Sequence, residues 1–324
     1  MGKNLLSVVI PVYNEEKQIQ HSLRVIRDIL SKHGIHHEFI LVDDGSRDHT
    51  WECIRIISGE IPGIRAIRFS RNFGKEAALC AGLDAAGGDA CLVMDADLQH
   101  PPQIIPEMFR LWREEGYEII EGVKASRGKE GFLHRMCARA FYCTLKKLSG
   151  FDLNNASDFK LLDAKVVSTW RQMKEYHTFF RGIAAWVGFK RTSVPFTVAE
   201  RTHGKSRWSK LRLFKLAVNA IVSFSSVPLH IVTGLGMVFL AGSLLLGAQT
   251  IYMKISGLAV SGFTTVILLL LITGSALMIS LGVIGTYIAK IYEEVKGRPR
   301  FIVAESISCE AAGKSKMKSY GMNA

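Results

Sequence analysis

Acidic residues are missing from a long internal stretch of this 324-residue chain: neither Asp nor Glu occurs between positions 201 and 292. Basic residues crowd the start of that stretch, and the whole chain carries a formal charge of +12. This basic patch consists of Arg201, Lys205, Arg207, Lys210, Arg212 and Lys215. Such a patch can bind nucleic acid or an anionic membrane surface. Because hydrophobic runs follow it directly, we predict a membrane surface and no nucleic acid partner.

Two segments of the same region lack Lys, Arg, Asp and Glu altogether: residues 229–253 and residues 255–289. A helix of about 20 residues, rising about 1.5 Å per residue, crosses the roughly 30 Å hydrocarbon layer of a bilayer. We therefore predict two membrane helices, the second over residues 262–289, with residues 255–261 forming the turn. Two buried helices of a soluble protein are the alternative, but both runs exceed ordinary core helices in length.

The flanks of this helical hairpin predict its orientation. The basic patch precedes the first run, and the turn between the runs offers only Lys254. The second run is followed by Lys290, Lys296, Arg298 and Arg300. The positive-inside rule then places both flanks, the residues upstream of them and both termini in the cytoplasm.

Neither a secretory leader nor a paired-cysteine motif is expected. The apolar run LLSVVIPV near the start is short, and YNEE follows it where a cleavage site would have small residues. The six cysteines include no CxxC pair. This suits a reducing compartment and predicts neither a disulfide framework nor a zinc site.

Residues 209–224, SKLRLFKLAVNAIVSF, mix basic and apolar side chains and predict a helix lying in the membrane interface. The alternative is an amphipathic helix packed on the surface of a soluble domain. We divide the chain into a soluble domain (residues 1–200), a basic juxtamembrane segment with the interfacial helix (201–227), two transmembrane helices (228–290) and a cytoplasmic tail (291–324). We expect the tail beyond Val303 to be polar and disordered.

The first 200 residues alternate short β-rich runs with helical patterns. The candidate strands are SVVIPVY, FILVDD, IRAIRF and ACLVMDAD. QIQHSLRVIRDILSKHG repeats apolar residues at helical spacing, and a further helix is expected within residues 74–86. This alternation predicts a parallel sheet with right-handed crossovers. In open sheets of this kind, ligands bind beyond the carboxyl ends of the strands.

Polar side chains follow three of these strands at that edge. They are Tyr13, Asn14 and Glu15 after the first strand, Asp43 and Asp44 after the second, and Asp95 and Asp97 after the fourth. If the fourth strand continued through MDADLQ, Asp95, Asp97 and Gln99 would share one face. Paired acids at a strand end are also common turn formers, so this motif alone is weak.

The order of the motifs is more specific. It runs PVYNEE, VDDGSRD, SRNFGKEAALCAGLDAA, MDADLQHPP, SDFKLLD, FRGIAAWVGF and RTHGKSRWSK, followed by the two hydrophobic runs. Over roughly residues 5–303 the chain resembles the family 2 glycosyltransferases that load sugars onto polyprenyl phosphate, such as bactoprenol glucosyltransferases and dolichyl-phosphate mannose synthases. The resemblance implies a GT-A (Rossmann-like) α/β domain, followed by the interfacial helix and the transmembrane hairpin.

The resemblance also implies the reaction. The expected enzyme moves a sugar with inversion from a UDP-sugar to undecaprenyl phosphate at the cytoplasmic face of the bacterial inner membrane, with Mg²⁺ or Mn²⁺, for modification of cell-envelope glycans. Glucose and N-acetylglucosamine are the leading sugars. An inactive nucleotide-sugar-binding partner of a flippase and a processive polysaccharide synthase are the alternatives. The oligomeric state stays open, a homo-oligomer included.

Matching positions in the family imply roles for individual residues. The implied metal ligands are Asp97 and Gln99, with Asp95 beside them. The implied nucleotide-binding residues are Pro11, Tyr13, Glu15, Asp44, Asn72 and Lys75. Acceptor-phosphate binding falls to Arg127, Arg135, Arg139, Arg201, Ser206 and Arg207. Of all these, Asp95, Asp97, Arg127 and Arg201 are the implied catalytic residues. Some alternatives stay open. Asn72 and Lys75 can also be an ordinary helix start, and Arg135 and Arg139 can form a solvated helix face. Asp43 is either a ligand contact or a structural partner in its turn.

The acceptor explains why cations are needed. A phosphate monoester, with a second pKa of about 6, is mostly a dianion at neutral pH and already nucleophilic, so positive charge must offset its repulsion from the donor. The chain departs from the family pattern at Arg207, where Lys is frequent, and at Lys160, where many relatives carry Arg. Asp158 either contacts the sugar or fixes Lys160 or a nearby arginine.

Overall fold

The computed structural model describes residues 4–124, 157–173, 175, 180–197, 227–257, 262–308 and 316–319. The chain divides into two compact units. The first unit holds the described residues up to 197 and those from 299 onward, and the second holds the described residues 227–298.

The first unit is an α/β domain. Its strands are β1 Leu5–Val12, β2 His36–Asp43, β3 Ile64–Phe69, β4 Ala90–Val93, β5 Ile119–Lys124, β6 Lys160–Asp163, β7 Arg191–Phe196, β8 Val303–Ser308 and β9 Lys316–Ser319. Its helices are α1 Ile19–Lys32, α2 Thr50–Glu60, α3 Lys75–Ala85, α4 Ile105–Glu115, α5 Ala164–Gln172 and α6 Phe180–Trp186, and a 3-10 turn at Pro102–Ile104 leads into α4.

Within the described part of the chain, nine strands form one sheet in the order β7-β5-β6-β4-β1-β2-β3-β8-β9. Strands β4, β1, β2 and β3 are parallel, as the sequence predicts for the four strands it identifies. The prediction of a parallel sheet is wrong for the nine-stranded sheet as a whole, which is mixed. Strand β6 pairs antiparallel with β4, and β8 pairs antiparallel with β3. The added strands are short and partly polar, so they lack the apolar runs that mark β1 to β4.

The core packs helices against the parallel strands. Helix α1 buries Ile19, Leu23, Ile26 and Leu30, whose spacing of three and four residues forms one apolar face. Helix α3 packs on β1 and β2. A Cβ added at Gly82 of α3 would overlap the side chain of the β1 valine beneath it. This glycine therefore lets α3 lie close to the sheet, and the helix begins at the edge where β1 and β2 end.

The segment after the second apolar run returns to the α/β domain. Strand β8 pairs with β3, and the Ser70 N–H donates a hydrogen bond of 3.0 Å to the Ile302 carbonyl. Glu305 accepts hydrogen bonds from Trp51 Nε1 at 3.0 Å and from Arg68 Nη1 at 3.1 Å. The expectation of a disordered tail beyond Val303 is therefore wrong for β8 and β9, because backbone pairing and a partly buried ion pair compensate for the polar composition of β8.

The second unit contains two long apolar helices, α7 Val227–Ile255 and α8 Phe263–Val295. Spans of 27 residues in each, Leu229–Ile255 and Leu269–Val295, have mean hydropathies of 2.1 and 2.0. Their length and composition suffice to cross a membrane, so the predicted pair of apolar helices is confirmed. Residues 201–226, with the predicted interfacial helix, lie outside the described residues.

Candidate active site

The loops after β1 and β2 are tied together at the carboxyl edge of the sheet. The Asn14 N–H donates to Ser46 Oγ at 2.9 Å, and the Arg47 N–H donates to Asn14 Oδ1 at 2.9 Å. The Glu15 N–H donates to Thr50 Oγ1 at 2.8 Å. Asn14 has φ of 56°, a left-handed conformation that asparagine tolerates better than most residues. The two loops therefore form one connected surface around the end of β1.

The acidic motif after β4 forms a turn. Strand β4 ends at Val93, and Leu98 adopts a φ of 55°. The prediction that Asp95, Asp97 and Gln99 share a strand face is therefore wrong, because strand alternation stops before the motif begins. The Gln99 N–H instead donates to Asp97 Oδ1 at 3.1 Å, which closes the turn locally.

Helix α1 holds this turn in place from the side. Ser22 Oγ donates to the Ala96 carbonyl at 2.6 Å, and Gln18 Nε2 donates to the Asp97 carbonyl at 2.9 Å. Ser22 and Ala96 are buried, so the bond between them is shielded from competing water. The first turn of α1 thus sets the position of the acidic motif relative to the loop after β1.

Negative charge accumulates at this edge. Burial raises the pKa of Glu15, and the nearby carboxylates of Asp97, Asp48 and Asp95 raise it further. Carboxylate and amide oxygens brought together in this way fit a hard divalent cation. Among the described residues, no three His, Cys, Asp or Glu side chains are grouped to hold a metal. A cation at Asp97 and Gln99 would therefore take its other ligands from phosphate and water, as magnesium commonly does.

The two acids at the end of β2, Asp43 and Asp44, have different environments. Asp43 is fully buried, accepts the Ser46 N–H at 2.9 Å, and lies 3.4 Å from Arg68 Nε as an ion pair. Asp44 accepts the N–H groups of Phe73 at 2.7 Å and of Gly74 at 2.9 Å. Burial raises the pKa of both carboxyls. Of the two roles left open for Asp43, this geometry favours that of a partner in its turn.

Lys75, the first residue of α3, lies at the centre of a charged cluster. Its Nζ is 2.5 Å from Asp95 Oδ1 and 2.7 Å from Asp158 Oδ2. Arg181 of α6 makes a bidentate pair with Asp158, with Nε 2.7 Å from Oδ1 and Nη2 2.9 Å from Oδ2. Burial alone would raise the pKa of Asp158, but the hydrogen bonds and charges of Arg181 and Lys75 outweigh it and hold that pKa well below its usual range.

Among the alternatives for Asp158, this cluster favours the fixing of a nearby arginine. The carboxylate fixes an arginine, Arg181, together with Lys75, and Lys160 is not its hydrogen-bond partner. Lys160 is fully buried, and its Nζ lies 2.5 Å from Glu121 Oε1. Sequence reasoning did not identify Arg181. The FRGIAAW motif was the available signal, because the planar guanidinium of arginine matches carboxylate and phosphate groups bidentately.

His100 is a second residue of the candidate site that the sequence analysis did not identify. The residue is 7% exposed, and its ring stacks on Phe159, with ring centroids 5.0 Å apart and 13° between the planes. Its Nδ1 accepts the Asp95 N–H at 3.3 Å. Burial lowers the pKa of His100, which agrees with an unprotonated Nδ1. The histidine after the acidic motif thus supports the backbone of that motif.

Glu76 ties α3 to α6. Its Oε2 accepts the Phe180 N–H at 2.9 Å, and burial raises the pKa of Glu76 to about 7. A carboxyl with a raised pKa in the folded state keeps its proton between about pH 4.5 and 7, where the unfolded chain has released it. Stability from this group is therefore present at low pH and decreases as pH rises to about 7.

We predict that Glu76→Gln removes this pH dependence. Glutamine keeps a carbonyl that accepts the Phe180 N–H but never ionises. The variant should match wild type near pH 4.5 and exceed it at pH 8 by up to about 3 kcal/mol of unfolding free energy, the equivalent of the pKa shift. Thermal unfolding of the full chain in detergent across this range measures the difference. Parallel curves for the two proteins would contradict the prediction.

The remaining predicted residues fall into two groups. Pro11, Tyr13 and Asn72 lie at the same edge of the sheet, where Tyr13 and Asn72 are exposed to solvent. The predicted acceptor-phosphate residues lie outside the described part of the chain: Arg127, Arg135, Arg139, Arg201, Ser206 and Arg207. The structure thus brings the predicted metal and nucleotide residues to one edge, and their individual roles stay predictions.

The sheet and the groups at its edge define a GT-A, Rossmann-like α/β domain, followed in the chain by two long apolar helices. The family model described as Glycosyl transferase family 2 matches residues 7–170. An uncharacterized glycosyltransferase of Synechocystis sp. is 38% identical over 302 residues, covering 93% of this chain and 95% of that protein. An SfII prophage-derived bactoprenol glucosyl transferase of Shigella flexneri is 35% identical over 303 residues, covering 93% of this chain and 98% of that protein.

Among solved structures, glucosyl-3-phosphoglycerate synthase of Mycobacterium tuberculosis is similar over 68% of this chain and 78% of its own, with 24% identity and a TM-score of 0.49. The family match extends over half of the chain, and the relatives match it nearly throughout. The chain belongs to glycosyltransferase family 2 and is a transferase.

Proposed function

We propose that the protein transfers a sugar, with inversion, from a UDP-sugar to undecaprenyl phosphate or a similar polyprenyl phosphate at the cytoplasmic face of the bacterial inner membrane. Glucose and N-acetylglucosamine are the proposed sugars. The product would serve the modification of cell-envelope glycans. Helices α7 and α8 would anchor the protein as a hairpin, with the catalytic domain and both termini in the cytoplasm.

One observation carries the proposal. The bactoprenol glucosyl transferase of Shigella flexneri aligns with 93% of this chain, a share that includes much of the two apolar helices as well as the α/β domain. A soluble acceptor would give no reason for such helices. Because α7 and α8 suffice to cross a bilayer, the acceptor most consistent with this architecture is a lipid.

The strand-edge residues support the donor half of the reaction. A divalent cation held by Asp97 and Gln99 would neutralise the charge that develops on the diphosphate as the sugar leaves. Lys75 adds a positive charge at the start of α3, where backbone N–H groups also favour phosphate. Glu15 and Asp44 lie beside this edge, on the side of β1 and β2, where the base and ribose of the nucleotide would bind.

The acceptor half depends on cations. A polyprenyl phosphate dianion is nucleophilic at neutral pH, so a general base is not required. The enzyme must instead bring two anions together, which needs positive charge near both. The proposed acceptor residues are Arg127, Arg135, Arg139, Arg201, Ser206 and Arg207. Of these, Arg201 and Arg207 belong to the basic patch that precedes the first membrane helix.

Two other functions are less consistent with the chain. An inactive nucleotide-sugar-binding partner has no need of an intact acidic motif, yet Asp95, Asp97 and Gln99 are all present. A processive synthase needs a QxxRW-like acceptor motif and a channel of several helices. Here α6 carries FRGIAAW, and the described residues include two candidate membrane spans.

Transfer to lipid tests the proposal. The purified full chain in detergent should move radiolabelled glucose or N-acetylglucosamine from its UDP donor to undecaprenyl phosphate, and the label should enter the organic phase. Undecaprenol, which lacks the phosphate nucleophile, should accept none. Chelation of divalent metal with EDTA should abolish transfer, and added Mg²⁺ or Mn²⁺ should restore it.

Each alternative has its own outcome in the same assay. Binding of UDP without transfer from any nucleotide sugar would favour an inactive partner. A water-soluble polymer that lengthens with time would favour a processive synthase. A GDP-sugar preferred over both UDP-sugars would correct the donor and leave the lipid acceptor in place.

A further inference from the structure

Asp158 sits between two cations from different helices. Its side chain is 9% exposed, while the side chains of Lys75 and Arg181 are each 41% exposed. Lys75 begins α3 and Arg181 lies in the first turn of α6. A buried carboxylate therefore holds two cationic groups that both reach the solvent-exposed side of the site.

Both oxygens of Asp158 are already engaged. Oδ1 accepts from Arg181 Nε, and Oδ2 accepts from Arg181 Nη2 and from Lys75 Nζ. A general base needs an available lone pair and enough affinity for a proton. Two cations at hydrogen-bond distance remove both properties, because each stabilises the ionised carboxylate. Asp158 is therefore poorly suited to accept a proton from an incoming nucleophile.

Lys75 connects this pair to the acidic motif. Its ammonium lies between Asp158 and Asp95, whose neighbour Asp97 belongs to the candidate metal site. Gly74 immediately before it has φ of 99° and its N–H donates to Asp44, which fixes the backbone from which the lysine starts. Both ends of the lysine are thus held. Ordering a long side chain in advance removes that entropic cost from ligand binding.

We propose that Asp158 is a positioning residue that presents Lys75 and Arg181 as a paired cationic site for the diphosphate of a nucleotide sugar. It transfers no proton. Arg181 supplies a planar guanidinium whose orientation is set by the bidentate pair, and Lys75 supplies a compact charge beside the metal site. The inference rests on the donor half of the proposed function and is independent of the lipid acceptor.

UDP binding to the full chain in detergent, measured by calorimetry with Mn²⁺, tests this role. Asp158→Asn should weaken UDP affinity about 10-fold to 100-fold, the range for a lost charge-assisted hydrogen bond. Lys75→Gln should have an effect of similar size. Because Asp158 acts through both Lys75 and Arg181, Asp158→Asn should weaken UDP binding less in the Lys75→Gln background than in wild type, whereas independent effects would multiply.

Asp163→Asn is a matched control from the other end of β6. Asp163 also accepts two hydrogen bonds, from the Lys165 N–H at 2.8 Å and from Trp112 Nε1 at 2.7 Å. It should leave UDP affinity unchanged. If Asp158→Asn unfolds at a much lower temperature than this control, Arg181→Lys takes its place, since it keeps the charge and removes the bidentate pair. Arg181→Lys should weaken UDP binding several-fold.

Three results would overturn the inference. The first is wild-type UDP affinity in Asp158→Asn with loss of transfer, which is the behaviour of a general base. The second is wild-type UDP affinity in Arg181→Lys. The third is a wild-type chain that binds no UDP, which would also remove the donor half of the proposed function. Failure of transfer to lipid alone would contradict the proposed acceptor and leave this inference standing, because the measurement uses no acceptor.

Discussion

Asp97→Asn should reduce the rate of sugar transfer about 1,000-fold, which corresponds to about 4 kcal/mol of transition-state stabilisation. The reason is charge. The carboxylate of Asp97 is the anionic member of the candidate metal pair, and the charge on the departing diphosphate needs the cation that this pair would hold. An amide oxygen is a much weaker ligand for a hard divalent ion than a carboxylate.

Asparagine is the sharpest replacement because it preserves the turn. The Asn side-chain carbonyl still accepts the Gln99 N–H, the bond that Asp97 Oδ1 makes at 3.1 Å. The tether from Gln18 goes to the backbone carbonyl of position 97 and is unaffected. The variant should therefore unfold at the temperature of wild type while losing activity, and higher Mn²⁺ should restore part of the rate.

The matched control is Asp89→Asn at the opposite end of the sheet. Asp89 Oδ2 accepts the Leu5 N–H at 2.9 Å, where β1 begins. The same change of one carboxylate to an amide should leave transfer near wild type there. Equal activity of Asp97→Asn and Asp89→Asn would show that the acidic motif after β4 is not the centre of the reaction.

The parallel centre of the fold could be predicted because local sequence determines it. Strands β1 to β4 are short apolar runs, and α1 repeats buried residues at helical spacing, so both periods are visible in neighbouring positions. The parallel pairing of these strands places their carboxyl ends together. The position of Glu15 near Asp95 and Asp97 therefore follows from topology and needs no knowledge of side-chain contacts.

The contacts that the sequence did not predict join residues that are far apart in the chain. Strand β8 pairs with β3, and its Glu305 bonds to Trp51 across 254 positions. Lys75 and Asp158 are 83 positions apart. Neither contact has a local pattern. The prediction of a shared strand face for Asp95, Asp97 and Gln99 failed for a different reason. The backbone at Leu98 takes a left-handed conformation, which hydrophobic periodicity does not reveal.

Lys160 shows how a departure from the family pattern is accommodated. From the sequence we expect phosphate binding to survive lysine in place of arginine at this position. The structure buries this lysine fully and pairs it with Glu121. A side chain in that position lies at the junction of β5 and β6 and has no exposed surface for a substrate. Burial lowers the pKa of Lys160, and the charge of Glu121 only partly restores it.

Glu121→Gln should therefore destabilise the α/β domain by about 3–5 kcal/mol near neutral pH, the cost of leaving one member of a buried ion pair without its counter-charge. The loss should shrink as pH rises. A lysine whose folded pKa is lowered binds fewer protons in the native state than in the unfolded state, so its contribution to stability improves with increasing pH. Urea titration of the full chain in detergent at several pH values, followed by tryptophan fluorescence, measures the trend.

Replacing both Glu121 and Lys160 distinguishes the effect of their charges on stability from the effect of the volume they fill. The double variant Glu121→Leu with Lys160→Met fills a similar space with apolar groups and should be as stable as wild type or more so, because no buried charge remains uncompensated. Its UDP affinity should also stay near wild type, since Lys160 is fully buried and its ammonium pairs with Glu121. Strong loss of stability in the double variant would mean that the ion pair itself holds β5 and β6 together. Loss of UDP binding with stability intact would place Lys160 in the nucleotide site after all.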